Sequence, residues 1–385
     1  MLLVENFDLE LESCLKLPKV AGNAAESRTK TATMKNSYTG KEQYYNDYLG
    51  LDKILSAQQL ESEAQGVDAH DEMLFIIVHQ AYELWFKQVQ HELSSILKIF
   101  DEQYINDNSK GLQVATHRLN RVVEIWKLLV AQVRVMETMT PMDFLDFRDL
   151  LTPASGFQSF QFRLIETRLG LKMDHRHAKK YYEKQLRAEH IEAIKAAENS
   201  LSLFELLDNW LARMPFWQLD YWQNFEQKAG ENAEMHPFWA HYRGIYLAGL
   251  KGSERSEISM KAFDELFFAQ ENRPVRLSEK ACRSALFIYL YREYPLLQQP
   301  FQLLNKLLEL DELMSTFRYR HMIMVRRMIG MRAGTGGSSG AGYLEGAMNK
   351  HHIFGDLASL ATYLIPRNLL PELDQKLVKD LSFRL

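Results

Sequence analysis

The sequence is poor in cysteine, and this scarcity excludes several kinds of site. Only Cys14 and Cys282 occur among 385 residues, so neither a disulfide framework nor a thiolate metal site can be built, and a reducing compartment fits. Long apolar runs are also missing. The longest purely aliphatic or aromatic one, residues 285–291, is far shorter than the roughly 20 residues of a membrane span. The first residues lack the basic region of a secretory signal. We therefore expect a cytoplasmic protein with no membrane partner.

Neither sign of charge dominates the chain. The 46 Lys and Arg residues nearly balance the 50 Asp and Glu residues, which gives a formal net charge of −4. Such a balance provides no global attraction to phosphate backbones, so we expect no nucleic-acid partner. Hydrophobic residues make up 46% and charged residues 25%, as in ordinary globular proteins, so a sizeable core can form.

Strand patterns are missing, whereas helical patterns are long and clear. Apolar side chains recur every three or four residues over 71–100, 119–135, 204–211, 282–290 and 303–328, the spacing of an amphipathic helix. No stretch shows sustained two-residue alternation between hairpin turns. We predict an all-α fold, with a mobile tail over residues 1–40 and one bundle-like helical domain over 41–385. Within that domain, about 170–275 forms a smaller helical excursion.

The first candidate motif is Phe75-Ile-Ile-Val-His79 on the longest predicted helix. Phe75 and His79 are one turn apart on the same helix face, in line with Tyr82 and Phe86. A histidine that faces an aromatic interior is more often a hydrogen-bonded core residue than a ligand or base. Both interpretations stay open at this point.

The second candidate motif is Phe144-Leu-Asp-Phe-Arg148, which a Pro-Ala-Ser-Gly loop follows at 153–156. The spacing puts Phe144 and Arg148 on one helix face. A guanidinium among aromatic rings suits bidentate capture of a carboxylate, but an ion pair with an Asp or Glu produces the same pattern. This motif alone does not decide between a binding role and a structural role.

The third candidate motif places His321 on an apolar stripe with Phe317, Met324 and Met328, before a glycine-rich stretch over 330–342. Such a histidine is more often plain core. As a ligand, one imidazole among Met and Leu suits a haem axial position better than zinc, which needs several donors. The glycine stretch follows a helix and matches neither phosphate-binding pattern, which argues against a nucleotide loop.

Together these stretches resemble the tryptophan 2,3-dioxygenase family. The resemblance rests on HDEMLFIIVHQAYELWFKQ at 70–88, ETMTPMDFLDFRDLLTPASGFQSFQFRLIE at 137–166 and RYRHMIMVRRMIG at 318–330. It continues through AGTGGSSG at 333–340, TYLIPR at 362–367, YYNDYLGLDKIL at 44–55 and YREYPLLQQPFQLL at 291–304. It spans nearly everything from Tyr44 to the C-terminus and is weakest over about 170–275.

The resemblance implies an enzyme with haem b (iron protoporphyrin IX) as its cofactor. It implies that His321 is the proximal ligand of the haem iron and that His79 is the distal, catalytic histidine. Ser155 and Gly156 would lie beside the haem. The implied reaction inserts both atoms of O2 across the indole C2–C3 bond of L-tryptophan and gives N-formyl-L-kynurenine, the first step of the kynurenine pathway.

The resemblance also implies a set of substrate contacts. Phe75 and Phe144 would bracket the indole, with Val78 beside the distal histidine. Arg148 would bind the substrate carboxylate, and Thr335 would meet the substrate ammonium. We expect His79 to accept a hydrogen bond from the indole N–H and to orient the ring, because indole is too weak an acid for easy deprotonation by imidazole.

The N-terminal tyrosines point to an assembly. Tyr45 and Tyr48 match residues that the family brings to the substrate, one of them from a neighbouring subunit. The resemblance therefore implies a homotetramer, a dimer of dimers, in which subunits share the N-terminal segment. L-tryptophan and O2 are the expected small-molecule partners.

Some positions depart from the pattern expected in many family members. Met73 stands where a histidine is common, Val78 where a threonine is common, and Phe317 where a tryptophan is common. Arg320 and Arg326 flank the proximal histidine in place of Asn and His. These differences concern the surroundings of the ligands rather than the ligands themselves.

Two other functions are compatible with parts of the sequence. A haem-based sensor or carrier without turnover explains His321, but not Arg148 beside Phe144 or the hydroxyl-bearing glycine stretch, both of which suit a small zwitterion. A less selective indoleamine dioxygenase shares the chemistry, and the loop around Thr335 favours the tryptophan-specific branch.

Overall fold

A computed structural model describes residues 43–102, 110–173, 176, 186–222, 225, 235–254, 256–332, 334 and 351–382. The chain divides into two compact units, residues 1–57 and 58–385, a division later in the chain than the predicted boundary after residue 40. The predicted tail over 1–40 lies outside the described residues. The described part of the first unit carries two short helices, α1 (Tyr45–Leu49) and α2 (Leu51–Leu55), and neither of them has a buried residue.

The second unit is built from helices, and the all-α prediction is confirmed, since no strand occurs among the described residues. The five predicted amphipathic stretches lie within α4, α5, α9, α12 and α13 of the following series. The helices are α3 (Glu61–Gln65), α4 (Glu72–Asp101), α5 (Lys110–Met136), α6 (Pro141–Arg148), α7 (Phe160–Leu169), α8 (Ala188–Glu198), α9 (Leu203–Ala212), α10 (Pro237–Gly249), α11 (Glu257–Phe267), α12 (Glu279–Leu290), α13 (Pro295–Ile329), α14 (Gly355–Ser359) and α15 (Gln375–Leu381). Among these described helices, none is both long and apolar enough to cross a membrane.

Three long helices form the frame of this unit. The central helix, α5, packs against α4 on one side and α13 on the other. Its apolar residues are buried at helical spacing, with Leu119, Val122, Trp126 and Leu129 fully inaccessible to solvent. Burying each such side chain contributes about 1.5–3 kcal/mol. This apolar packing fixes the rotation of the helices, and therefore the faces that α4 and α13 turn toward their neighbours.

The stretch 170–275, predicted as a helical excursion, shares this core rather than building one of its own. Trp210 of α9, Phe238 of α10 and Phe263 of α11 belong to the same buried cluster as Trp126 of α5. The helices α9 and α11 both pack against α12. The excursion is thus a layer of the main unit.

Gly330 ends α13 with φ of 59° and ψ of −124°, a backbone conformation that residues with a Cβ rarely adopt. Its amide donates to the Arg326 carbonyl oxygen at 2.9 Å, which closes the last turn. The chain can therefore turn sharply nine residues after His321, and Gly334 reaches the wall of the cavity described below.

Candidate active site

A cavity of about 310 Å³ lies between α4, α5, α6, α7 and α13. This volume is within the roughly 300–1,000 Å³ typical of small-molecule sites. The three motifs singled out in the sequence meet at its walls: Phe75 and His79 come from α4, Phe144 and Arg148 from α6, and His321 from α13. Tertiary packing therefore brings together residues that the sequence could place only on separate helices.

His79 presents a neutral hydrogen-bond acceptor to the cavity. Its Nδ1 atom lies 2.7 Å from the carbonyl oxygen of Phe75, one turn earlier in α4. A carbonyl oxygen can only accept, so Nδ1 carries the ring proton and Nε2 keeps its lone pair. Burial by the surrounding protein lowers the pKa of His79, against the opposing effects of the Phe75 carbonyl and Glu83. The neutral form therefore dominates near pH 7.

Phe75 and Phe144 stand beside each other in this conformation. Their ring centroids are 5.9 Å apart and their planes are inclined at 30°. An aromatic ring sandwiched between them needs about 7 Å, two contact distances of roughly 3.5 Å. The two rings thus form one wall of the cavity, and bracketing an indole between them requires a change of side-chain position. Phe147, which sequence reasoning missed, supports both rings edge-on at 5.6 and 5.4 Å and is fully buried.

Arg148 is held at the cavity by a well-defined short helix. Thr140 caps α6 by accepting from the Asp143 amide, and the Asp143 carboxylate accepts from the Thr140 amide in return; Pro141 occupies the first turn. These features fix where α6 starts. The Arg148 guanidinium is 3.8 Å from the Asp149 carboxylate, which is 92% exposed. Such a solvent-exposed contact contributes little. The guanidinium also lines the cavity, and its planar fork has the shape for a two-point contact with a carboxylate.

Ser155 and Gly156 lie on a short turn that also lines the cavity. The turn is a single 3-10 helix, Gly156–Gln158, and the Ser155 hydroxyl accepts from the Phe157 amide at 3.3 Å. Ser159 follows and caps α7, with its hydroxyl accepting from the Phe162 amide at 3.4 Å. The segment 155–159 therefore connects α6 to α7 along the cavity wall.

His321 presents an isolated imidazole to the cavity from α13. Its ring lies parallel to that of Phe317, with centroids 6.1 Å apart and planes inclined at 12°, and Met324 and Met328 are among its neighbours on the wall. In the part of the chain that the structure describes, neither ring nitrogen of His321 has a hydrogen-bond partner. Burial lowers the pKa of His321 to about 4, and repulsion from His79 in its protonated form adds a smaller contribution. The side chain is therefore a neutral imidazole, and the lone pair of its unprotonated nitrogen can bind a metal ion.

This donor set fits a haem. No cluster of three or more His, Cys, Asp or Glu side chains that could hold a metal ion occurs among the described residues, so a protein-coordinated zinc has too few donors. A haem iron takes four nitrogens from the porphyrin and needs only one axial imidazole from the protein. The lone neutral imidazole of His321 and the aromatic and methionine side chains on the cavity wall suit that group.

A buried charge cluster fixes α13 close to His321. Glu166 of α7 is fully buried and lies 2.6 Å from Arg176, 2.9 Å from Arg318 and 3.1 Å from Arg163. Burial alone would raise the pKa of Glu166, but the nearby arginines hold it well below its usual range. Arg318, three residues before His321, also donates to the His351 carbonyl oxygen at 3.1 Å. The cluster therefore ties α13 to α7 and to the chain at residue 351.

The structure does not bring every predicted contact to the cavity. Val78 is buried in a cluster with Met136, Met139 and Phe147 and does not line the cavity wall. Tyr45 and Tyr48 lie on α1 in the first unit, each with 71% of its surface exposed. Thr335 lies outside the described residues, so its predicted contact with the substrate ammonium stays a prediction.

The departures from the family pattern occupy different surroundings. Phe317 packs edge-on against Tyr82 at 5.6 Å and against Trp126 at 5.7 Å, so it joins the proximal wall to the core. Arg320 forms an ion pair with Glu137 at 3.1 Å. Met73 is partly exposed on α4. Arg326 lies in the last turn of α13, where its carbonyl oxygen accepts from the Gly330 amide at 2.9 Å.

A family model described as tryptophan 2,3-dioxygenase matches residues 28–364. The chain belongs to the tryptophan 2,3-dioxygenase family. A tryptophan 2,3-dioxygenase of Alteromonas mediterranea is 43% identical over 355 residues, which covers 89% of this chain and 98% of the relative. The enzyme of the same name from Dictyostelium discoideum is 40% identical and covers 93% of this chain and 94% of the relative. That from Rattus norvegicus is 42% identical, with coverage of 86% and 84%.

Sequence reasoning missed two polar features of this tryptophan 2,3-dioxygenase family site. Glu83 lines the cavity one turn after His79, and the four-residue spacing from His79 could have indicated it. In the cluster around Glu166, the three-residue spacing from Arg163 on α7 could have indicated one ion pair, whereas Arg318 comes from a distant part of the chain and could not be paired with Glu166 from the sequence. The relatives are named as enzymes, which favours turnover over the sensor alternative.

Proposed function

We propose that this chain is a haem-dependent dioxygenase that opens the indole ring of free L-tryptophan with O2 and forms N-formyl-L-kynurenine. The observation that carries this proposal is the convergence of His79, Arg148 and His321 on one apolar cavity. Each of the three supplies a different requirement of the reaction: an acceptor for the indole N–H, a cation for the substrate carboxylate and an axial ligand for iron. The product places the enzyme at the first step of tryptophan catabolism by the kynurenine pathway.

His321 would hold haem b through its neutral imidazole, with Ser155 and Gly156 beside the ring. When bound, the haem supplies the binding and activation of O2, which no side chain can provide. The protein would position the imidazole and the substrate and exclude water from the cavity. Phe317 keeps the imidazole plane parallel to its own ring, and the buried Arg318–Glu166 pair holds the register of α13 three residues away.

Arg148 would fix the substrate through a bidentate contact with its carboxylate. The Phe75 and Phe144 rings would cover the indole and exclude water, and Thr335 would meet the ammonium. His79 would accept the indole N–H at Nε2, because Nδ1 is already committed to the Phe75 carbonyl. Contacts with the carboxylate, the ammonium and the ring nitrogen would limit the indole to one orientation. A fixed orientation of the reactants lowers the barrier of the reaction.

The active assembly would be a homotetramer, a dimer of dimers, in the cytoplasm. Tyr45 and Tyr48 would complete a neighbour's site. The exposure of large side chains on α1 supports this role, since the described part of the first unit leaves Tyr44, Tyr45 and Tyr48 each more than 70% exposed. Contiguous exposed apolar surface commonly marks an interface.

An anaerobic mixing experiment tests the proposal directly. Haem-loaded, reduced protein is mixed with L-tryptophan without O2, its absorption spectrum is recorded, and O2 is then admitted. The expected result is a tryptophan-dependent change in the Soret band, followed by the absorption of N-formylkynurenine in amounts equal to the O2 consumed. A Soret change on O2 binding without any formylkynurenine would identify a carrier or sensor and overturn the proposal.

A further inference from the structure

Glu83 connects α4, the helix that carries His79, to the start of α7. It lies on α4, four residues after His79, and lines the cavity. Its Oε1 atom accepts from the Ser159 hydroxyl at 2.6 Å, and its Oε2 atom accepts from the Gln161 amide at 2.8 Å. The same Gln161 amide also donates to the Glu83 backbone carbonyl at 2.9 Å. Both carboxylate oxygens are thus committed to the start of α7.

Ser159 carries two functions in this arrangement. Its hydroxyl caps α7 by accepting from the Phe162 amide, and it donates its proton to Glu83. Ser159 also ends the turn that carries Ser155, Gly156 and Phe157, because its amide donates to the Gly156 carbonyl oxygen at 3.1 Å. A bond from Glu83 to Ser159 therefore restrains the whole segment 155–159.

The rest of the α4–α7 contact does not depend on this bond. Farther from the cavity, Gln90 donates to the Gln161 carbonyl oxygen at 3.1 Å, and Arg168 donates to Gln90 at 2.6 Å and to the Ser94 hydroxyl at 2.8 Å. Losing the Glu83 bonds would leave α7 packed and release only its first turn. The effect would fall on the cavity wall and not on the fold.

We infer that Glu83 is a positioning residue that holds the segment 155–159 at a fixed distance from the helix that carries His79. Hydrogen bonds to an ionised group are among the stronger ones in proteins. The link itself follows from the contacts above, whereas its consequence for tryptophan binding rests on the proposed function. When the link is lost, the wall formed by Ser155 and Gly156 moves relative to His79, and tryptophan binds less well.

Ser159→Asp separates this role from simple helix capping. Aspartate caps a helix as well as serine does, but it cannot donate to Glu83 and places a second carboxylate beside it. Combining Ser159→Asp with Glu83→Gln restores a hydrogen bond in the reverse direction, because the amide introduced at position 83 can donate to the carboxylate introduced at position 159. Ser94→Ala is the matched control, because it removes a bond from the same helix interface outside the cavity.

Two measurements on the haem-loaded protein decide the matter. Hydrogen exchange of the peptide that contains residues 155–159 reports the link without reference to activity, and steady-state kinetics separate KM from kcat. For Ser159→Asp we expect exchange at least about fivefold faster in this peptide and KM for tryptophan raised by a similar factor, with kcat changed less than about twofold. The double variant should restore both values, and Ser94→Ala should change neither.

Each other outcome contradicts the inference. Wild-type exchange in Ser159→Asp would show that the link does not restrain the segment. Faster exchange with unchanged KM would show that the restraint does not serve substrate binding. If the wild type itself produced no formylkynurenine, the proposed function would fail, while the exchange comparison would still decide the link.

Glu83→Gln alone is a milder variant and should shift exchange and KM in the same direction.

Discussion

The Nδ1 atom of His79 lies 2.7 Å from the carbonyl oxygen of Phe75, one helical turn earlier in α4. This bond settles which ring nitrogen is protonated, and the remaining nitrogen can accept but not donate. Because Phe75 also forms part of the aromatic wall, the residue that orients the histidine also borders the space for the indole. The relationship leads to the first prediction.

Replacing His79 by alanine should remove the preference for an indole N–H and leave haem in place. A neutral hydrogen bond contributes about 0.5–1.5 kcal/mol, so wild type should bind L-tryptophan roughly 2–10-fold more tightly than 1-methyl-L-tryptophan. In His79→Ala the ratio of the two dissociation constants should fall toward one. An unchanged ratio would show that Nε2 does not accept the indole N–H. Discrimination against tryptamine, which reports the carboxylate, should persist and serves as the control.

Replacing His321 by glycine should give a folded protein without stable haem. The axial bond anchors the iron, and no second imidazole lies on that face of α13. Haem content and the Soret band after purification measure the loss, and circular dichroism checks the fold. Added imidazole should restore a Soret band close to that of wild type, since it can occupy the space of the missing side chain. Wild-type haem content in His321→Gly would contradict the assignment of the ligand.

Arg148→Leu should weaken tryptophan binding while retaining haem. A charge-assisted pair contributes about 1.5–3 kcal/mol, so the dissociation constant or kcat/KM should worsen by at least roughly tenfold. Arg148→Lys should recover little, because an ammonium cannot reproduce the planar fork. Tryptamine lacks the carboxylate and is the matched ligand. If wild type and Arg148→Leu discriminated equally between tryptophan and tryptamine, Arg148 would not bind the carboxylate.

Two truncations should separate the N-terminal tail from the tyrosine segment. A chain starting at Met34 should keep haem, assembly and activity, because residues 1–34 have no apolar periodicity. A chain starting at Gly50 lacks Tyr45 and Tyr48 and should lose most of its activity even when its helical core folds. Activity of each truncation at equal haem content is the measurement. Full activity of the shorter chain would contradict a role for these tyrosines.

Subunit mixing tests whether the segment crosses between subunits. Inactive Arg148→Leu chains can be co-assembled with inactive chains that lack residues 45–49. Mixed sites would then combine an intact arginine with a donated tyrosine segment, and activity should return. A verified mixed oligomer without activity would contradict sharing.

The last prediction concerns acid stability and His236. The ring of His236 lies 5.5 Å from both Trp217 and Trp222, and burial lowers its pKa to about 4. The unfolded chain takes up a proton near pH 6.5 and the folded chain does not, so stability is lost as the pH falls from 6.5 toward 4. At pH 5 the full shift would correspond to about 2 kcal/mol of lost stability, and solvent screening of the partly exposed ring makes the expected loss smaller than that.

Urea unfolding at pH 7.5 and pH 5 measures this effect. In His236→Gln the drop in unfolding free energy between the two pH values should be smaller than in wild type, by no more than about 2 kcal/mol. His70→Gln removes an exposed histidine and should follow the wild type. Equal drops in all three proteins would show that His236 does not titrate as its surroundings require.

Much of the candidate site was open to prediction because it depends on local spacing. A helix repeats every 3.6 residues, so Phe75 and His79 had to share one face, and so did Phe144 and Arg148. Residue counts likewise excluded a disulfide framework and gave no reason to expect a nucleic-acid partner, and periodicity alone predicted the all-α fold. Glu83 lay within reach of the same argument, four residues after His79.

Only the tertiary structure decided how these faces meet. The contact between Phe75 and Phe144, the bonds from Glu83 to Ser159, the cluster around Glu166 and the burial of Val78 away from the cavity all join distant parts of the chain. Apolar stripes attract one another without direction, so a sequence reveals which faces are buried but not which helix covers each of them. That choice depends on how side chains interlock across the whole core, and it placed the imidazole of His321 opposite an open cavity instead of within closed packing.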